Sequence, residues 1–303
     1  MRPLSVFLVI HQLCSNHTDG TIIDNGLKFR NEFHLDPLSS ADVFVPCGGR
    51  PEAVDLSNVQ TLLNGDGTPR FKYIVEGANL FFTQEARLRL EKAGAVIFKD
   101  ASANKGGVTS SSLEVLAALA FTDDEFQDQM MVKNNVAPAF YTDYVKAVHG
   151  IIEKNAELEF EALWRESERT KKPKSILSDE LSFAIVRLNR ELQTTTLWDN
   201  VPLRRIVLNE AFPRILLEKV GLDTLLKRVP ESYVKAIFGS YLASRFGMFF
   251  ILLTGQCTSM VLNLRNSPFS NSWHPTLLRY YNKCVRVIQD HGSALCNELI
   301  MSS

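Results

Sequence analysis

The sequence is short of the features that mark whole classes of protein. Its five cysteines, at 14, 47, 257, 284 and 296, show neither paired spacing nor the density of a disulfide-stapled fold. An odd count in a chain this long suits a reducing compartment better than secretion. Charge of one sign is not in excess: 33 Lys and Arg stand against 34 Asp and Glu, a net charge of -1. That balance leaves no electrostatic footprint for nucleic acid or for an anionic membrane surface. No G-x-G-x-x-G occurs, and no P-loop. The nearest imitation, Gly65-Asp66-Gly67, is followed by Arg70 where a third glycine would be required, so a pyrophosphate-binding turn is missing. Internal repeats and low-complexity segments are absent too.

Long hydrophobic runs are scarce. Leu4–Ile10 is at the short limit for a signal peptide and lacks a small-residue cleavage site after it, so a buried strand is the reading adopted. Phe246–Leu264 carries no charge, but Gly247, Thr254, Gly255, Gln256, Thr258, Ser259 and Asn263 make it too polar for a hydrocarbon span. A non-membrane protein is expected. With 303 residues, 45% of them hydrophobic and 22% charged, the chain can bury a sizeable core in one domain or two.

What is present changes character near residue 110. Before it, short β-rich runs alternate with turns. Thr21–Ile23 and Lys28–His34, split by Asp24-Asn25-Gly26, read as a hairpin, because Asn-Gly suits a type I′ turn. Val43–Val45, Lys72–Val75 and Ala95–Phe98 are short, apolar and rich in β-branched or aromatic residues, as strands covered on both faces should be. Thr83–Ala93 between the last two reads as a helix stopped by Gly94. Strand, helix, strand at this length is a βαβ unit and therefore a parallel sheet. From Ser111 onward the pattern is helical. Ser111-x-x-Glu114 matches a capping box, and amphipathic helices are expected at Tyr141–Arg169, Ser178–Gln193, Pro202–Val220 and Glu231–Arg245. Lys171-Lys172-Pro173-Lys174 is the loop between the first two, since proline cannot sit inside either.

Three loops follow the three strands: Pro46-Cys47-Gly48-Gly49, Glu76-Gly77-Ala78-Asn79 and Asn104-Lys105-Gly106-Gly107. In an open α/β sheet, ligands bind outside the carboxyl ends of the strands. Glycine lets the backbone approach a flat ligand, and Asn79 and Asn104 carry amides suited to another amide or a hydroxyl. Each loop could equally be a plain strand-to-helix turn, where Gly and Asn are common. Ligand types also recur at His11, Cys14 and His17, and at Cys284, His291 and Cys296, but without a convincing fourth ligand. No metal site is assigned.

Longer runs carry a resemblance. ADVFVPCGGRPEAV (41–54), FKYIVEGANLFFTQEARLRLEKAGAVIFKDASANKGGVTSSSLEVLAALA (71–120), LWDNVPLRRIVL (197–208) and VGLDTLLKRVPESYVKAIFGSYLASRF (220–246) are similar to the large, fungal-type NAD-specific glutamate dehydrogenases. GTIIDNGLKFRNEFHL (20–35) also matches their run-up to the sheet. The likeness spans roughly three quarters of the chain, Gly20 to Phe246. It implies an α/β fold: the second half of a Rossmann-like parallel-sheet coenzyme domain followed by an α-helical C-terminal region. The expected division is an N-terminal segment with the hairpin (1–40), a partial NAD-binding domain (41–123), a helical region (124–246) and a divergent tail (247–303).

By the same resemblance the cofactor is NAD and the partners are L-glutamate and 2-oxoglutarate, in amino-acid catabolism. A homo-oligomer is implied for the full-length enzyme, in a mitochondrial or cytosolic setting. The backbone around Cys47 and Gly48 and the loop Gly77, Ala78 and Asn79 would line the nicotinamide nucleotide. Asn104 would hydrogen-bond near its carboxamide. Val108 and Ser111 would face the substrate, Ser111 giving its hydroxyl to the side-chain carboxylate of glutamate; a pure helix cap is its structural alternative. Lys105 stands where smaller relatives carry a small residue, which implies a solvated or loop-stabilising role. The family's catalytic lysine and aspartate and its Gly-rich turn are expected upstream of this chain, and no catalytic residue is assigned within it. Residues 1–19 and the tail after Phe246 depart from the pattern and read as products of a truncated or misread gene model. Two other classes fit the residues: a non-catalytic nucleotide-binding or oligomer-interaction module, and another amino-acid dehydrogenase.

Overall fold

The computed structural model describes residues 26–248 apart from 38 and 49, together with the backbone of 15–16 and 22–23. The chain divides into two compact units. One holds the residues up to Lys105 together with Lys172–Ser178, and the other holds Gly106–Lys171 and the chain from Asp179. The second unit opens with the helix at 106–120.

In the first unit, β1 (Ser15–Asn16) and β2 (Ile22–Ile23) pair antiparallel. The expected second hairpin strand is instead a helix, α1 (Gly26–Glu32). The Asn25-Gly26 signal is overridden because Leu27 and the residues after it join a helical turn, and β2 finds its partner upstream. Three strands then form a parallel sheet: β3 (Ala41–Phe44), β4 (Phe71–Val75) and β5 (Val96–Phe98), in that order. The register pairs Val43 with Tyr73 and Ile74 with Ile97.

The connection from β4 to β5 is α2 (Gln84–Lys92), with Thr83 as N-cap accepting from Ala86 N at 3.3 Å. Gly94 follows at φ +101°, a conformation that glycine supplies without Cβ strain. Ile74, Ile97, Phe82, Leu62 and Leu90 are fully buried around it. Phe44 stacks on Phe71 with centroids 4.7 Å apart and meets Phe81 edge-on. β3 departs from the expectation of a strand covered on both faces. It is the edge of the three-stranded sheet, and Val43 is half exposed; only Phe44 of its residues turns toward the core.

Residues 172–178 belong to this unit because they are tied to α2. Ser175 donates from N and Oγ to the two oxygens of Glu91, at 3.1 and 2.6 Å. Burial pushes the Glu91 carboxyl above its ordinary range, and the Ser175 bonds pull it back. After β5 comes α3 (Asp100–Ala103), a single turn.

The second unit is helical: α4 (Gly106–Ala120), α5 (Asp123–Gln129), α6 (Ala139–Thr170), α7 (Lys174–Gln193, from Asp179 onward), α8 (Val201–Ala211), α9 (Arg214–Val220), α10 (Leu222–Arg228) and α11 (Glu231–Phe246). Leu116, Val207, Leu208, Leu216, Leu225, Val234 and Phe238 form its core. The single helix expected over Pro202–Val220 is broken at Phe212, whose extended backbone (ψ 145°) precedes Pro213. Proline disfavours the helical conformation of its predecessor and has no N–H to continue the ladder. Pro202 and Pro230 stand in the first turn of α8 and just ahead of α11. No described helix is long and apolar enough to cross a membrane. The charge-free run that starts at Phe246 lies, after Met248, outside the described residues, as do the 247–303 tail beyond that point and the His11, Cys14, His17, Cys284, His291 and Cys296 sets.

Candidate functional site

The carboxyl ends of β3 and β4 carry the first two loops on one edge of the sheet, and β5 runs there into the α3 turn that Asn104 closes. Gly106 and Gly107 of the expected third loop are instead the first residues of α4, in the other unit. The first two loops are joined directly: Ala78 N donates to Pro46 O at 2.7 Å. Glycine at 77 permits this. A Cβ there would stand 3.0 Å from Cys47 Sγ and 3.2 Å from Pro46 O, closer than ordinary packing allows. Around Gly48, by contrast, a Cβ would meet nothing within 4 Å, and Cys47 is exposed. Gly49 lies outside the described residues.

The second and third loops meet through their amides. Asn104 Nδ2 donates to Asn79 Oδ1 at 2.6 Å, in an exposed position. Each carboxamide has more donor and acceptor capacity than this one bond uses. Asn104 closes the α3 turn, its N–H donating to Asp100 O at 2.9 Å. Lys105 is half buried beside it.

Beneath this rim lies a charged network that the hydropathy pattern did not single out. Arg87 of α2 forks onto Glu76, with Nε to Oε1 at 2.7 Å and Nη2 to Oε2 at 2.8 Å. Its Nη2 also stands 3.6 Å from Asp100 Oδ1. All three side chains are buried. Asp100 Oδ2 in turn accepts from Leu80 N at 2.7 Å. Burial pushes the Glu76 carboxyl up, while the Arg87 guanidinium holds it down. A sequence signal did exist: Glu76 directly follows the apolar run of β4 and Arg87 sits mid-helix among Ala86, Leu88 and Leu90, and charges buried in such places are almost always paired.

Val108 and Ser111 belong to the other unit, on α4. Val108 is 71% exposed. Ser111 is not a helix cap. It is the sixth residue of α4, exposed, and its Oγ donates back to Val108 O at 3.1 Å. Ser110 and Ser112 back-bond in the same way, to Gly107 O at 3.0 Å and Val108 O at 2.8 Å. The capping box expected at Ser111 and Glu114 stands one helix later, where Thr122 and Glu125 cap α5 reciprocally. The helix begins instead at Gly106-Gly107, so its unsatisfied N–H groups and positive dipole end fall on glycine backbone that an anion can approach. Two tyrosines hold α4 from the side: Tyr144 Oη donates to Leu113 O at 2.7 Å and Tyr233 Oη to Ser112 O at 2.9 Å. Burial pushes the Tyr144 hydroxyl well above its usual pKa, so it donates at any physiological pH. No group of His, Cys, Asp or Glu among the described residues is placed to hold a metal ion.

Chemically, the rim offers paired amides and open glycine backbone, which suit a flat ligand bearing a carboxamide. The α4 terminus offers N–H groups, which suit a carboxylate or phosphate.

Comparison with known proteins agrees with the run-based likeness. The chain is 62% identical over 246 residues to Glutamate dehydrogenase 2 of Dictyostelium discoideum, covering 81% of this chain and 24% of that protein. It is 58% identical over 229 residues to the NAD-specific glutamate dehydrogenase of Neurospora crassa, covering 75% of this chain and 22% of that one. The NAD-specific glutamate dehydrogenase of Saccharomyces cerevisiae is 44% identical over 236 residues, with 75% and 22% covered. The chain thus spans between a fifth and a quarter of the length of these curated relatives. No solved structure matches it. Residues 12–170 match the family model of the Glutamate/Leucine/Phenylalanine/Valine dehydrogenases. With that match over more than half its length, the chain belongs to the Glutamate/Leucine/Phenylalanine/Valine dehydrogenase family.

Proposed function

We propose that this chain is the nicotinamide-facing part of an NAD-dependent glutamate dehydrogenase. The reaction takes L-glutamate, water and NAD to 2-oxoglutarate, ammonia and NADH. When bound, NAD accepts the hydride released from the α-carbon of glutamate. The observation that carries the reading is the exposed Asn79–Asn104 amide pair at the carboxyl edge of a parallel sheet, beside the close-packed Gly77 loop. Those residues fit the carboxamide end of the coenzyme, because a carboxamide both donates and accepts. The diphosphate end has no counterpart in the sequence, which holds no G-x-G-x-x-G.

In this reading Cys47, Gly48, Gly77, Ala78 and Asn79 bound the nicotinamide nucleotide, and Asn104 orients its carboxamide. Val108 and Ser111 face glutamate, with Ser111 releasing its bond to Val108 O to donate to the substrate carboxylate. The names of the relatives support glutamate as substrate. Work in amino-acid catabolism, in mitochondria or cytosol and as a homo-oligomer belongs to the same proposal.

The test is a graft. Residues 20–246 replace the corresponding region of the Dictyostelium protein, and glutamate-dependent NADH formation is followed. The graft should be active. In it, Asn104→Ala should lower kcat, whereas Ser111→Ala should raise the glutamate KM and leave the NAD response nearly intact. A lost hydrogen bond to a charged group corresponds to about ten- to a hundredfold in kcat/KM. A graft that melts cooperatively but forms no NADH overturns the reading.

A further inference from the structure

Asn79 and Asn104 lie 25 positions apart in sequence, on two different loops, and their side chains are exposed. Exposed asparagines have several rotamers open to them, so the pairing needs support from their backbones. One residue supports both. Asp100 accepts from Leu80 N at 2.7 Å through its carboxylate, next to Asn79. Its backbone carbonyl accepts from Asn104 N at 2.9 Å. A single residue therefore ties the backbone on both sides of the amide pair.

The Leu80 end is where this tie matters most. Leu80 has φ +55°, a left-handed conformation that a branched side chain adopts only where its surroundings compel it. Two bonds compel it: the Asp100 carboxylate on its N–H and Glu52 N on its carbonyl, at 2.6 Å. On the other side of Asn79, Ala78 N is pinned to Pro46 O. The carboxylate is itself aimed from behind. Arg87, held by both oxygens of Glu76, stands 3.6 Å from Asp100 Oδ1 and leaves Oδ2 for Leu80. Ala101 N adds a bond to Oδ1 at 2.9 Å.

We propose that Asp100 is the positioning residue of the Asn79–Asn104 amide pair, with Arg87 and Glu76 fixing the aim of its carboxylate. The proposal rests on the coenzyme reading above for what the pair does, and on the geometry alone for how the pair is held.

Hydrogen exchange of the 303-residue chain tests the geometry, and the graft tests the consequence. Asp100→Ala removes the acceptor but leaves Arg87 on both oxygens of Glu76, so the buried charge stays balanced. The Leu80 amide should then exchange about tenfold to a hundredfold faster, while the amides of Phe71–Val75 and Val96–Phe98 keep their protection. Asp100→Asn offers one oxygen where the carboxylate offers two, and its NH2 must face a donor, so it should restore the protection only in part. Should Asp100→Ala unfold, Asp100→Ser, one atom too short to reach, gives the same readout.

In the active graft, Asp100→Ala should lower kcat about tenfold or more with little change in the glutamate KM. Adding Asn104→Ala should cost little further, because the two changes break one device. Unchanged Leu80 exchange in Asp100→Ala overturns the proposal. A wild-type graft without activity sinks the coenzyme reading and leaves the exchange result to decide this one.

Discussion

Arg87 and Glu76 are both almost fully buried, and each is charged because the other is there. Removing one partner of such a pair strands the other in a low-dielectric core, whereas replacing both with apolar residues of similar volume can be nearly neutral. Arg87→Leu should therefore lose about 3–5 kcal/mol of unfolding free energy in urea titrations, and the Arg87→Leu, Glu76→Leu pair much less. A single variant as stable as wild type would refute the network. His34 makes a second residue-scale prediction. Its Nε2 is buried with no partner and its ring packs on Phe44 and Phe81. Burial lowers its pKa from 6.5, with a backbone bond at Ala53 and Glu32 opposing. Below that ordinary value the unfolded chain takes up a proton that the folded chain still refuses. Stability contributed by neutral His34 is thus complete above pH 6.5 and lost as pH falls from there toward the folded pKa. Melting temperatures across that range should slope in the wild type and flatten in His34→Phe; parallel slopes would show that another group titrates.

Among the elements, the loops after β3 and β4 touch through a glycine that has little room to spare. Gly77→Ala should cost about 1–3 kcal/mol, read as a lower thermal midpoint, because the added methyl meets Cys47 Sγ and Pro46 O. Cys47→Ala in the same background should recover only part of the loss, since the carbonyl at 3.2 Å remains. Full recovery would locate the whole clash at sulfur. The elements also show what was legible. α2 was readable end to end because Thr83 and Gly94 are local signals with local causes. β4 and β5 were readable as apolar runs. The second hairpin strand was not, because Asn25-Gly26 is a turn signal only if strands flank it, and α1 follows instead. Ser111 misled as a cap for a similar reason: the motif was local, but the helix had already begun at Gly106.

At the scale of the whole molecule, the parallel sheet has three strands among the described residues, with β3 at one edge of them and half-exposed Val43 on it and Val45 just beyond. Apolar edge strands pair with whatever strand they meet. The purified chain should self-associate as its concentration rises, and Val43→Lys should shift it toward monomer in sizing chromatography. A sharp, concentration-independent monomer peak for the wild type would contradict this. The same scale explains the short reach of the site. Relatives are more than three times as long as this chain, since 246 matched residues make only 24% of one and 229 only 22% of another, and the amide rim is one edge of a coenzyme pocket in the reading proposed here.

The sequence by itself determined the parallel βαβ core, the helical character of the second unit and the family, because these depend on hydrophobic period, capping residues and runs of identity that survive without three-dimensional information. Only the tertiary structure decided that Asn79 meets Asn104, that Gly77 must be small because Cys47 crosses it, and that Arg87, Glu76 and Asp100 share one buried network. Those facts join residues far apart in the chain, and no local propensity encodes which distant charge a buried guanidinium will find.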